Sequence, residues 1–124
     1  MKKQLLFAGL TILLSTVTFA QKKNVTDAIL LMRKYNPAGE ISANKKIVTD
    51  AMNFIDLAAA NAETAEDLKM HLYRAQIYYC LNEMSSIESA ALNRPTDATT
   101  NASWKATSIA SFKKVLEDPK KTYK

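Results

Sequence analysis

The chain has 124 residues, one domain's worth, with 48% hydrophobic and 23% charged residues and a formal net charge of +5. Its two glycines and single cysteine argue against hairpin-rich folds, glycine-lined phosphate loops and an internal disulfide framework. The cations are spread out apart from Lys113-Lys114 and Lys120-Lys121, whereas nucleic-acid binders concentrate theirs, so no nucleic-acid partner is expected.

The first twenty residues read as a targeting segment. Met1-Lys2-Lys3 is a basic start, Leu5 to Phe19 is a largely apolar run, and Thr18-Phe19-Ala20 offers the small residues of a cleavage site before Gln21. The run holds three Thr and one Ser and falls short of the ~20 apolar residues that span a bilayer. The expectation is therefore an exported protein, periplasmic or secreted, with no integral membrane span after cleavage. Residues 21–124 would then form one domain with Gly39 as its only glycine and a net charge of about +3.

Along that domain the apolar segments have helical periodicity. Val25, Ala28, Ile29, Met32 and Tyr35 recur at three and four residues, and Asn36-Pro37 ends the pattern because the residue before proline is pushed out of the α region. A second helix is expected from about Ala43 to Ala60, with Ile47, Val48, Ala51, Phe54, Ile55, Ala58 and Ala59 on one face. Thr64 and Asp67 resemble a capping box at the head of a third helix.

That third helix, running to about Leu81 or Asn82, is too apolar on too many sides for a surface helix. Leu68, Leu72, Ala75 and Tyr79 form one stripe, and Met70, Ile77 and Leu81 another on the far side. Such a helix needs partners on two faces. Ser85 to Leu92 could continue it, Asn93 to Asn101 reads as a polar loop broken by Pro95, and a last helix is expected over about Ala102 to Glu117 with Trp104, Ser108, Phe112 and Val115 on its buried stripe. No alternation of β-branched residues of strand length occurs, so the class is all-α.

Ala75 with Tyr78, then Ser108, Phe112 and Pro119, and one unit earlier Ala51 with Ile55, resemble the small-residue and aromatic positions of tetratricopeptide (TPR) repeats. The resemblance implies antiparallel helical hairpins in a right-handed solenoid, here one divergent repeat with a preceding hairpin. His71 and Arg74 depart from the pattern, and the step of 33 residues from Ala75 to Ser108 implies an insertion over roughly Asn82 to Ser103. The resemblance also implies a non-enzymatic protein-binding or scaffolding module of the cell envelope, or else an N-terminal cap of a longer solenoid. Its binding face would carry Lys69, Gln76 and Tyr79 toward a protein or peptide partner.

Little else in the chain suggests chemistry. His71, the only histidine, lies one helical turn after Asp67, so an acid-oriented base built on Asp67 and His71 is the one enzymatic arrangement that spacing allows. Cys80 is nine residues beyond and on the opposite side of the helix, which rules out a Cys-His dyad or a joint metal site; an inert thiol is expected there. No cofactor or metal is implied.

Overall fold

The structure, a computed structural model, describes residues 22–117. The expected targeting segment, its cleavage point at Gln21, and Asp118-Pro119 lie outside the described residues. Four α-helices pack as antiparallel neighbours: α1 over residues 22–32, α2 Ile41–Ala60, α3 Leu68–Leu92 and α4 Ala98–Leu116. No solenoid is identified. Among the described residues no helix is long and apolar enough to cross a membrane.

Both early connections are fastened by buried polar side chains. Asn44, 7% exposed, reaches back from α2 across the α1–α2 turn. Its Nδ2 donates to the Asn36 carbonyl at 2.5 Å, and its Oδ1 accepts from the Asn36 amide at 3.3 Å. Gly39 lies under this clasp, where a Cβ would come within 3.1 Å of the Asn36 carbonyl oxygen. In the α2–α3 connection Thr64 turns inward and its hydroxyl donates to the Ala58 carbonyl at 2.5 Å, a second donor to a carbonyl that also accepts the Asn61 amide at 3.3 Å at the end of α2. The capping box expected from Thr64 is therefore absent. With Thr64 committed to α2, Asp67 alone caps α3, accepting from the Lys69 amide at 3.0 Å.

One apolar cluster unites α1, α2 and α3. Val25, Ala28 and Ile29 meet Val48, Ala51, Ile55 and Ala58, and α3 contributes Met70, Ile77, Tyr78, Leu81 and Met84. From α4 only the half-buried Trp104 reaches this cluster. The rest of α4 lies along a second seam of small residues: Ala75 of α3 is fully buried, Ser108, Ser111 and Val115 are buried, and the Ser108 hydroxyl donates to the Ala75 carbonyl at 2.8 Å. Helices α2 and α4 both pack on α3 but not on each other. The expectation that α3 needs partners on two faces is met in this way, by a large-residue core on one side and a small-residue seam on the other.

The small-residue seam also corrects two expectations. Tyr79 is not part of a buried stripe but 52% exposed, and Phe112 is 37% exposed. Each stands four residues after a seam residue, Ala75 or Ser108, which is about 40° around the helix. Where the seam is built from Ala and Ser the buried arc of each helix is narrow, so side chains at that rotation stay outside.

Residues 82–92 continue α3, as the reading of Ser85 to Leu92 allows, whereas the polar loop expected over Asn93 to Asn101 is unwound only to Asp97. Asn93 closes α3 in the left-handed conformation (φ 51°), which asparagine tolerates. Asp97 then accepts from the amides of Thr99 and Thr100, at 3.1 and 3.2 Å, and from the Thr100 hydroxyl at 2.7 Å. These bonds from Thr100, together with that from Thr99, hold its carboxyl below the ordinary value. Side chains read as loop formers thus act as caps, and the extra length goes into longer helices.

Candidate functional site

Asp67 and His71 do not come together as an acid-base pair. The Asp67 carboxylate is taken by the cap of α3, and His71, 8% exposed, has Nε2 2.6 Å from the Ala65 carbonyl. A carbonyl can only accept, so Nε2 is the donor of this bond; Nδ1 is buried without a hydrogen-bond partner. The ring is a peg that ties the α2–α3 connection to α3. Cys80 is half-buried, and burial, with Glu83 adding to it, raises its thiol above the ordinary pKa, which keeps it in the unreactive thiol form. Among the described residues no three ligating side chains gather as a metal site would require.

A cluster that periodicity did not reveal lies between α2 and α3. Asp56 accepts from the Tyr78 hydroxyl at 2.6 Å and from Arg74 Nε at 3.2 Å, and the Arg74 guanidinium stands 5.3 Å from the centre of the Tyr78 ring. Asp56 lies off the apolar face of α2, and Arg74 departs from the repeat pattern. The signal that could have joined them is their placement on facing helices once the α2–α3 hairpin is assumed.

Burial, followed by the hydrogen bond to Asp56, pushes the Tyr78 hydroxyl up to about 12. An unfolded tyrosine ionises near about 10, so the folded state holds this proton more tightly. The resulting stability is complete below about pH 10 and is lost as pH rises toward about 12. The full shift corresponds to about 2.7 kcal/mol; Asp56 is partly solvated, and screening reduces the expected loss to about 1–2 kcal/mol. Urea unfolding on both sides of this window should show the loss in the native chain and a smaller one in Tyr78→Phe. Equal alkaline losses in the two proteins would remove the cluster from the account.

The candidate binding residues Lys69, Gln76 and Tyr79 are all exposed on the face of α3 that its neighbours leave uncovered. They share that face without forming an enclosed pocket. Tyr79 donates its hydroxyl to Glu83 at 2.8 Å, and this bond is the first cause that raises its pKa.

A further concavity among the described residues lies elsewhere. An open trough of about 770 Å³ runs between the first turns of α2 and the last turns of α3, lined by Ile41, Lys45, Thr49, Glu88 and Leu92. A smaller pocket of about 200 Å³ adjoins it, with Met52, Leu81, Met84 and Trp104 among its walls. Lys45 bridges to Glu88 at 3.1 Å across this region. Sequence reasoning missed the trough because it depends on how α2 and α3 are placed against each other.

Compared with known proteins, the chain matches no family model, no curated protein and no solved structure.

Proposed function

We propose that this chain is a non-enzymatic helical interaction module of the TPR type, exported to the cell envelope, that takes a protein or peptide partner on the uncovered face of α3. The observation that carries this reading is the two-seam arrangement of α3. Because α4 is attached by a narrow seam of Ala and Ser instead of joining the main core, α3 and α4 keep an open face with large side chains on it. Tyr79, Ile109 and Phe112 are all substantially exposed there, and aromatic residues with a polar tip are the type enriched at protein interfaces. Export rests on the basic start, the short apolar run and the small-residue site in the sequence.

A second reading, an end unit of a longer helical array, is favoured by one specific feature: Ile109, Phe112 and Leu116 form an outward apolar row on the last helix, the kind of row a further helix would cover.

Site-specific photocrosslinking in the producing cell tests the module reading. A crosslinker placed at Gln76 or at Tyr79 should give an adduct of defined mass with another polypeptide, and one placed at Glu63, exposed in the α2–α3 turn, should not. No adduct, or the same adducts from all three positions, contradicts the reading.

A further inference from the structure

Ile109, Phe112 and Leu116 follow each other at three and four residues along α4 and are 47%, 37% and 65% exposed, a continuous apolar row on one helix face. The row is bordered by positive charge. Between its caps α4 carries Lys105, Lys113 and Lys114 and no carboxylate, and none of the three forms an ion pair among the described residues. Lys22 on α1 and Lys69 on α3 likewise form no ion pair among the described residues, whereas Lys23, Lys45 and Lys46 on α1 and α2 are each paired with an Asp or Glu. Lys113 and Lys114 suit the C-terminal end of the helix dipole, but Lys105 is mid-helix and has no such role.

This row continues onto α3. The Ser108–Ala75 hydrogen bond fixes the antiparallel register of the seam. Counted from Ala75, Gln76 and Tyr79 lie about 100° and 40° around α3; counted from Ser108, Ile109 and Phe112 lie at the same rotations around α4. In an antiparallel pair, equal rotations away from the seam lead to the same side. The two helices therefore present one shallow groove, with Gln76 and Tyr79 on one bank, Lys105, Ile109 and Phe112 on the other, and Leu116 extending the apolar bank. Glu83, the one carboxylate on this face of α3 among the described residues, is engaged by the Tyr79 hydroxyl.

We propose that this α3–α4 groove docks an acidic amphipathic α-helix of a partner protein, its apolar stripe covering Ile109, Phe112 and Leu116 and its carboxylates meeting Lys105 and Lys113. The inference deepens the module reading and rests on it. Charge decides between occupants. A second copy placing α4 against α4 brings lysine toward lysine, which complementarity disfavours. The residues after Glu117 include Lys120, Lys121 and Lys124 and carry the same sign as the groove. An anionic lipid surface has the right charge, but a row of three side chains on a helix already packed along one side is narrower than the apolar half of a membrane-surface helix.

The test uses the full chain and two synthetic helical peptides of the same leucine stripe, one flanked by Glu and the other by Lys, in fluorescence anisotropy at low salt. The Glu peptide should bind at least about tenfold more tightly than the Lys peptide. The double variant Lys105→Glu, Lys113→Glu should reverse that preference, and Ile109→Ser with Leu116→Ser should abolish binding of both while leaving the circular dichroism of the chain unchanged. Equal affinities, or no binding of either peptide, overturn the proposal, as does a doubled mass in solution that the serine variant abolishes. Binding to phosphatidylglycerol vesicles in place of the Glu peptide also overturns it and assigns the row to a membrane surface. Position-specific crosslinks at Tyr79 that survive such a failure would leave the module reading standing with a partner of different chemistry.

Discussion

Ile77→Ala is expected to lower the unfolding free energy by about 2–5 kcal/mol, the range for removing a buried aliphatic side chain from a core that relaxes only in part. Ile77 is fully buried in the cluster shared by α1, α2 and α3. Its loss removes apolar contact from that cluster and leaves a cavity. A domain of this size has a total stability of about 5–15 kcal/mol, so the variant should be close to unfolded at the upper end of the cost. Urea denaturation read by circular dichroism measures this directly. A midpoint shift equivalent to less than about 1 kcal/mol would place Ile77 outside the main core.

Ala75→Leu should cost about 1–3 kcal/mol by the opposite mechanism, overpacking. Ala75 is fully buried and its carbonyl accepts the Ser108 hydroxyl at 2.8 Å, so α4 lies directly over this position. Three added carbons have no space unless α4 moves away, and that movement also breaks the Ser108 bond. On a solvated helix face the same exchange would change propensity by only a few tenths of a kcal/mol. A shift below about 0.5 kcal/mol would therefore show that Ala75 borders no helix. The two variants should also differ in kind. Ile77→Ala weakens the whole unit and leaves the urea slope unchanged, whereas Ala75→Leu releases α4 first and lowers the slope, because less surface is left to expose in the main transition.

The helices and the central place of α3 were legible because they follow from apolar spacing. Val48, Ala51, Ile55 and Ala58 face inward as their periodicity requires, and the apolar residues on opposite sides of α3 do find separate partners. The boundaries were less legible where polar side chains had two possible roles. Thr64 could cap α3 or close α2, and it closes α2 because its hydroxyl is buried against the Ala58 carbonyl. Thr99, Thr100 and Asn101 have loop composition, yet Asp97 caps a helix ahead of them. Tyr79 and Phe112 were misassigned to buried stripes because spacing alone does not give the width of a seam, which depends on the size of the residues in it. The Asp56–Arg74–Tyr78 cluster and the α2–α3 trough were invisible for a related reason. Both need the relative placement of two helices, and a single-helix pattern carries no information on that.

The shared exposure of Lys69, Gln76 and Tyr79 on α3 follows from their register. The cationic apolar row on α4 is not legible in the sequence, because the narrowness of the seam is what keeps Phe112 outside.

Native-state hydrogen exchange tests the two-seam account most directly, because it resolves which helices open together. If α1, α2 and α3 share one core and α4 is held by a separate small-residue seam, amides in the middle of α3, from Ala75 to Leu81, should exchange only through the most complete opening. Amides from Lys105 to Val115 in α4 should exchange through a separate opening of lower free energy. Protection of α4 equal to that of α3, with the same dependence on urea, would contradict the account and make the four helices one cooperative core.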